Sequence, residues 1–283
     1  MMIPEPLTDS ACAACTTARC CSWFAIDVTG SDVYRLARGL ALQANDFLSI
    51  TAIDPHQAGA DALFFGDDRQ AYVLRLKRTK QSAGPGGSQR CGFLMHLGPT
   101  TNRCGVYGHR PFACRIFPAQ LRSQRGLLGI ELRGTNEVCP PNAWSIAQID
   151  LAGTRPVLTR HRIERDIYRG AVRRWNRRTH QHQAVRRAFQ ATYIETLMAL
   201  HDALEPQLAP YFEDDTKLVA LFEAWIHPSI LPNRPYELVG GRDESAAATV
   251  FGPSWAVVET IRHALDAAFG PCTTVASVDH AFG

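Results

Sequence analysis

No run of about 18 apolar residues occurs in the chain, so it offers no candidate membrane helix. Met1 to Ala11 carries neither a basic n-region nor an apolar h-region. The expectation is therefore a soluble, cytoplasmic protein with no leader and no membrane partner. Repeats of about 20 to 50 residues are absent, which sets aside solenoids and propellers. The net charge of +3 is too small for a global electrostatic case for nucleic acid. No Gly-x-Gly-x-x-Gly follows a strand, which removes support for a conventional nucleotide or S-adenosylmethionine fold, and no Gly-x-Ser-x-Gly occurs. The carboxylate pairs Asp67-Asp68 and Asp214-Asp215 sit at turn or helix-start positions and read as caps rather than acid–base pairs.

What is present is a globular composition, with 46% hydrophobic and 20% charged residues over 283 positions. That length makes one large domain or two ordinary ones. Patterning predicts an α+β protein in two parts. Residues 1–150 form a small, irregular, cysteine-rich metal-binding half with short strands and helices, and residues 151–283 a mostly helical half. In the first part, Ser22 to Asp27 reads as a short strand. Thr29 to Asp32 supplies caps for a helix with Val33, Leu36, Ala37 and Leu40 on one face, and a second helical piece starts at Ala44 to Asp46. Ala71 to Lys77 reads as a strand exposed on one face, Ser82 to Ser88 as a flexible loop, Gly126 to Leu132 as a strand and Glu137 to Pro141 as a rigid turn. Helices are predicted at Arg155 to Arg178, Ala184 to Leu204, Thr216 to Trp225 and Trp255 to Phe269, with prolines 206, 210, 228, 232 and 235 breaking the connections. Between Arg155 and Arg187 lie eleven arginines and two acids, Glu164 and Asp166. This segment could lie along phosphate or an acidic surface, but a solvated helix face is the favoured reading.

The nine cysteines decide more. In a reducing compartment thiols are explained better by metal ligation or redox chemistry than by disulfides, and an odd count cannot pair completely. Cys12, Cys15, Cys20 and Cys21 are four thiols within ten residues that have almost no other apolar side chain to pack beside them. Cys91, Cys104, Cys114 and Cys139 follow, and Cys272 lies apart in the tail. Thiolates select zinc, copper(I) or iron–sulfur centres over calcium or magnesium. Eight are too many for one tetrahedral ion and enough for two four-sulfur sites. Only Cys12 and Cys15 form a C-x-x-C pair, which disfavours a zinc ribbon. On an extended chain Cys20 and Cys21 point to opposite faces and serve two sites, or two metals of one cluster. His96 and His109 read as surface or supporting histidines rather than ligands. Arg110, fixed by Pro111, and Arg115 could offset the charge of a thiolate centre or donate to sulfur or a bound anion.

The order Cys12-x2-Cys15-x4-Cys20-Cys21, Cys91-x-Phe-Leu94, Cys104-x-x-Tyr107-x-x-Arg110-Pro111-x-x-Cys114-Arg115-x-Phe117-Pro118 and Cys139-Pro140 resembles the YkgJ-type cysteine-cluster family. That family is described as a zinc- or iron-chelating domain related to flagellin lysine N-methylase. The likeness covers roughly residues 12 to 141. It implies that Cys12, Cys15, Cys20, Cys21, Cys91, Cys104, Cys114 and Cys139 form the metal site or sites, and that the cluster could assist chemistry on a protein side chain.

The resulting expectation is an iron protein with one or two iron–sulfur clusters of the 4Fe-4S kind. Its helical half would frame a protein or small-molecule partner surface. A non-catalytic zinc protein whose basic helices bind a partner is the competing reading. No residue is assigned a catalytic role.

Overall fold

The computed structural model describes residues 15–65, 70–80, 89–98, 101–117, 119–124, 127–132, 138–139, 151–179, 186–226 and 244–271. The expected loop at Ser82 to Ser88, prolines 228, 232 and 235, and Cys12 and Cys272 lie outside these residues. The elements run α1 (Cys20–Trp23), α2 (Gly30–Leu40), α3 (Ala44–Phe47), β1 (Leu48–Ile53), β2 (Ala71–Leu76), β3 (Arg78–Lys80), β4 (Gln89–Cys91), β5 (Leu94–His96), β6 (Asn102–Cys104), α4 (Phe112–Ile116), β7 (Ala119–Gln124) and β8 (Leu127–Leu132). Five helices follow: α5 (Leu151–Thr179), α6 (Arg186–Phe212), α7 (Asp215–Trp225), α8 (Glu244–Phe251) and α9 (Pro253–Phe269). The strands pair as β1-β2, β3-β4, β5-β6 and β7-β8. The fold is α+β, and among the described residues no helix is long and apolar enough to cross a membrane.

The chain packs as two compact units, Met1–Thr51 with Val73–Leu158, and Ala52–Tyr72 with Thr159–Gly283. Residues 52–72, which the boundary near residue 150 places with the cysteines, group with the helices.

In the first unit α2 begins with a reciprocal cap. The Thr29 hydroxyl accepts from the Asp32 amide, and Asp32 Oδ2 accepts from the Thr29 N–H at 3.0 Å. Val33 and Leu36, one turn apart, are both fully buried. The helix stops at Ala41, which turns left-handed at φ 52° and returns its N–H to Ala37. The other oxygen of Asp32 reaches further: Oδ1 accepts from the backbone N–H of Phe112 at 2.9 Å and from Arg35 Nη2 at 2.8 Å. This carboxylate, only 2% exposed, therefore fixes the start of both α2 and α4. Helix α4 then buries Phe112 and Ile116, an i, i+4 pair, against Val157 and Leu158.

Two local expectations are corrected here. Ser22 to Asp27 is not a strand, because α1 occupies Cys20–Trp23 and the pairing that follows involves residues 26–28, with Val28 N–H on Leu74 O and Leu76 N–H on Ile26 O. That pairing gives β2 a neighbour on each side. Val73 is accordingly buried rather than exposed, and Arg75 is half-buried in an ion pair with Asp27.

The second unit is organised on Trp175, whose indole meets Tyr193 at 5.1 Å, Phe65 at 6.1 Å and Phe269 at 6.5 Å between ring centroids. These edge-on contacts add to the burial of large apolar rings. At least five of the eleven arginines of the basic segment are ion-paired within this unit. Arg160 bonds Glu164 at 2.8 Å and Arg162 bonds Asp166 at 2.9 Å, one turn along α5. Arg165 and Arg169 share Asp61, each at 2.8 Å, and Arg174 meets Asp266 at 2.7 Å. Two of these acids lie far away in sequence, so counting acids inside the segment alone overstated its free charge. Pro206 and Pro210 do not interrupt the helix as expected but lie inside α6. Burial of Leu200, Leu204 and Leu208 along it offsets the backbone bonds the prolines remove.

Asp32→Ala should destabilise the cysteine-bearing unit by about 2 to 4 kcal/mol, since it removes a buried carboxylate that the half-buried Thr29 amide, the buried Phe112 amide and Arg35 all bond. Urea unfolding followed by circular dichroism measures this; a loss below about 0.5 kcal/mol would contradict the role given to Asp32.

Candidate metal centre

The thiols arrive on short pieces of chain that are each pinned by backbone hydrogen bonds. Residues 15–17 lie along β6, with Asn102 N–H on Thr16 O at 2.8 Å, Asn102 Nδ2 on Thr17 O at 3.3 Å and Arg103 Nη1 on Cys15 O at 3.1 Å. This places the Cys15 backbone beside the strand that ends in Cys104. Ala18 then adopts a left-handed conformation, φ 44°, which costs about 1 kcal/mol for a residue with a Cβ and swings the chain into α1. Helix α1 packs against β4, the strand that ends in Cys91. Arg78, opposite Cys91 in the β3-β4 register, holds this packing. Its Nη2 donates to Ser22 O at 2.6 Å, and the same guanidinium reaches the carbonyls of Phe24 and Gln89. One cation thus joins the carbonyl end of α1 to the edge of β4, where a positive charge suits the helix dipole.

Cys91 and Cys104 occupy the same local design. Each is followed by glycine and then by a residue whose amide donates back to the thiol, Phe93 to Cys91 and Val106 to Cys104. The glycines permit it through close approach of backbone. Gly92 donates to Lys77 O at 2.9 Å and Gly105 to Phe93 O at 2.8 Å. A Cβ would meet those same oxygens at 3.2 Å and 3.1 Å. Amides aimed at sulfur stabilise the thiolate, the form a metal requires.

Cys20, Cys21, Cys91, Cys104 and Cys114 are close enough that their charges act on one another. Cys20 and Cys21 share a proton. The Cys21 thiol donates to Cys20 and, with backbone amides, lowers Cys20 to about 7, while Cys21 itself is driven far up by that bond and by burial. The expectation that neighbouring cysteines face opposite ways fails because the pair sits on a helix rather than an extended strand. Burial raises Cys91, Cys104 and, most strongly, Cys114, ahead of the repulsion from neighbouring thiolates. Arg110 opposes that repulsion at Cys20, Cys104 and Cys114. It is 6% exposed, its Nε donates to Tyr107 O at 3.2 Å, and its guanidinium lies 3.7 Å over the Tyr107 ring. Pro111 follows as the N-cap of α4, which carries Cys114.

The remaining predicted residues are placed as follows. Arg115 is buried on α4 beside Phe112 and Ile116, and Cys139 is half-buried next to buried Val138. Neither histidine joins the thiols. His96 Nε2 lies 3.1 Å from Arg90 Nη1, and the His109 ring fills the space over Gly39 of α2, where a Cβ would stand 2.4 Å from Nδ1. The described cysteines are free thiols. Among the described residues no three Cys, His, Asp or Glu side chains stand at the spacing of a closed metal cage. The donor set nevertheless suits a soft metal, being all sulfur, with amides directed at two thiols and a buried cation beside three. Arg78, Ala18, Gly92 and Gly105 escaped the sequence reading, as did the bond from Asp32, read there only as a cap, to the Phe112 amide. The one visible signal was that Cys91 and Cys104 are each followed by glycine.

Residues 11–140 match the family model CxxCxxCC, described as "Putative zinc- or iron-chelating domain". The chain departs from the spacing in that name, with four residues rather than two before Cys20-Cys21. No curated protein and no solved structure matches the chain.

In metal-free protein, alkylation of Cys20 should rise as pH increases through about 7, because its lowered value puts the thiolate there. Cys21→Ala removes the donor and should move that midpoint up toward the ordinary thiol range. Peptide mapping of iodoacetamide-labelled protein against pH measures both; an unmoved midpoint would contradict the shared proton.

Proposed function

We propose that this chain, whose residues 11–140 match the family model of zinc- or iron-chelating cysteine-cluster domains, binds iron as one or two iron–sulfur clusters of the 4Fe-4S kind. The observation that carries the reading is the mutual influence of five thiols, with the Cys15 backbone alongside. A single tetrahedral zinc and a single 4Fe-4S cluster each take four thiolates, so the number of thiols alone does not choose between them. The choice rests on adjacent Cys20 and Cys21, which on one helical turn suit neighbouring metals of one cluster, or two sites, better than one ion.

The proposed ligands are Cys12, Cys15, Cys20, Cys21, Cys91, Cys104, Cys114 and Cys139. The work of the other residues is electrostatic and positional. Arg110 offsets accumulated thiolate charge, the Phe93 and Val106 amides donate to sulfur, and Arg78 keeps α1 against β4. Arg115 extends the positive potential from the buried side of α4. When bound, the cluster would supply electron transfer, or Lewis acidity at an iron with an open position. Chemistry on a protein side chain and a partner surface on the helical unit belong to the same proposal.

Protein purified without oxygen should be brown and contain iron and sulfide in matching amounts; colourless protein with tightly held zinc would overturn the iron–sulfur reading. Cys104→Ser and Cys114→Ser should each lower metal content and destabilise the cysteine-bearing unit, because metal binding and folding are linked. Cys272→Ser should do neither, and equal metal loss there would contradict the ligand set.

A further inference from the structure

Outside the thiols, the hairpin β5-β6 presents an edge with an alternating chemistry. Gly105 N–H bonds Phe93 O at 2.8 Å and Leu97 N–H bonds Thr101 O at 2.9 Å. By the alternation of an antiparallel ladder, the N–H and C=O groups of Leu94 and His96 point away from β6. Among the described residues β5 has no strand on that side. One face of the hairpin carries Met95, opposite Arg103 in the register, and Leu97, which are 44% and 62% exposed. On the other face His96 meets Arg90 at 3.1 Å, and the buried Arg90 Nε has no hydrogen-bond partner among the described residues. From Arg69 to Ile130 the sequence contains eleven Lys and Arg and not one Asp or Glu.

We propose that the edge of β5 facing away from β6 docks an extended acidic segment of a partner protein, added as a strand beside Leu94–His96. Strand addition satisfies outward backbone groups and reads alternate side chains. The apolar side chains of the added strand lie on Met95 and Leu97, and its carboxylates face Arg90 and His96. A second copy of this chain does not fit the same edge, since it would set Arg90 and its basic surroundings against their own like. The proposal does not depend on which metal the thiols bind.

The test uses full-length protein and a fluorescein-labelled peptide of about eight residues alternating Glu and Val, with a Lys–Val counterpart, followed by fluorescence anisotropy. The Glu–Val peptide should bind saturably, weaken with added salt, and outcompete the Lys–Val peptide by at least about tenfold. His96→Pro removes one outward N–H without touching the bonds to β6 and should cost about tenfold or more; Arg90→Gln should do the same. No saturable binding, equal binding of the Lys–Val peptide, or preferential binding of a poly-dT strand would overturn the proposal. So would undiminished affinity in Arg90→Gln, which decides the matter alone if His96→Pro loses its circular dichroism spectrum.

Discussion

Bringing largely desolvated thiols near enough that their charges act on one another is the constraint on which the cysteine-bearing unit depends. Each thiol that ionises raises the cost of ionising the next, and burial raises all of them. Left to themselves, Cys91, Cys104 and Cys114 would stay protonated and separate. The chain opposes this with fixed donors and one cation. Backbone amides point at Cys91 and Cys104, Cys21 donates to Cys20, and Arg110 stands beside three of the thiols. Soft cations compete with protons for such a group better than hard ones do.

The rest of the unit reads as anchorage for that arrangement. Asp32 links α2 to α4, and through α4 to Cys114 and the Arg110-Pro111 turn. Arg78 links α1 to β4, and so the Cys20-Cys21 pair to Cys91. Gly92 and Gly105 let two backbone segments approach closely enough for the amide-to-sulfur bonds. These devices differ in chemistry, but each converts a short, weakly specified piece of chain into a fixed position for sulfur. Short strands and a one-turn helix have little stability of their own, so such cross-links carry much of the order.

Much of this was legible in the sequence because chemistry concentrated there. Four cysteines within ten residues, and Cys104 to Cys114 spanning Arg110-Pro111, point to a metal site without any structure. The caps at Thr29 and Asp32 and the apolar period from Val33 fixed α2. Long-range relations were not legible. Asp32 looks like an ordinary cap, and only the fold shows its second oxygen on Phe112. Arg78 lies just past the strand read from sequence and carried no signal there, yet it binds carbonyls some 11 and 54 to 56 positions away. The same blindness overstated the free charge of the arginine-rich segment, whose partners include Asp61 and Asp266. Cys20-Cys21 was misread because one turn of helix, set by a left-handed Ala18, replaces the extended chain that alternation assumes.

The central claim is that these thiols hold iron as polynuclear iron–sulfur centres, one or two in number. X-ray absorption at the iron edge of anaerobically prepared protein tests it most directly. The account predicts a first shell of sulfur alone with a metal–metal scatterer beyond it. Iron ligated by nitrogen or oxygen with no neighbouring metal, or zinc in a closed four-sulfur shell, would contradict it.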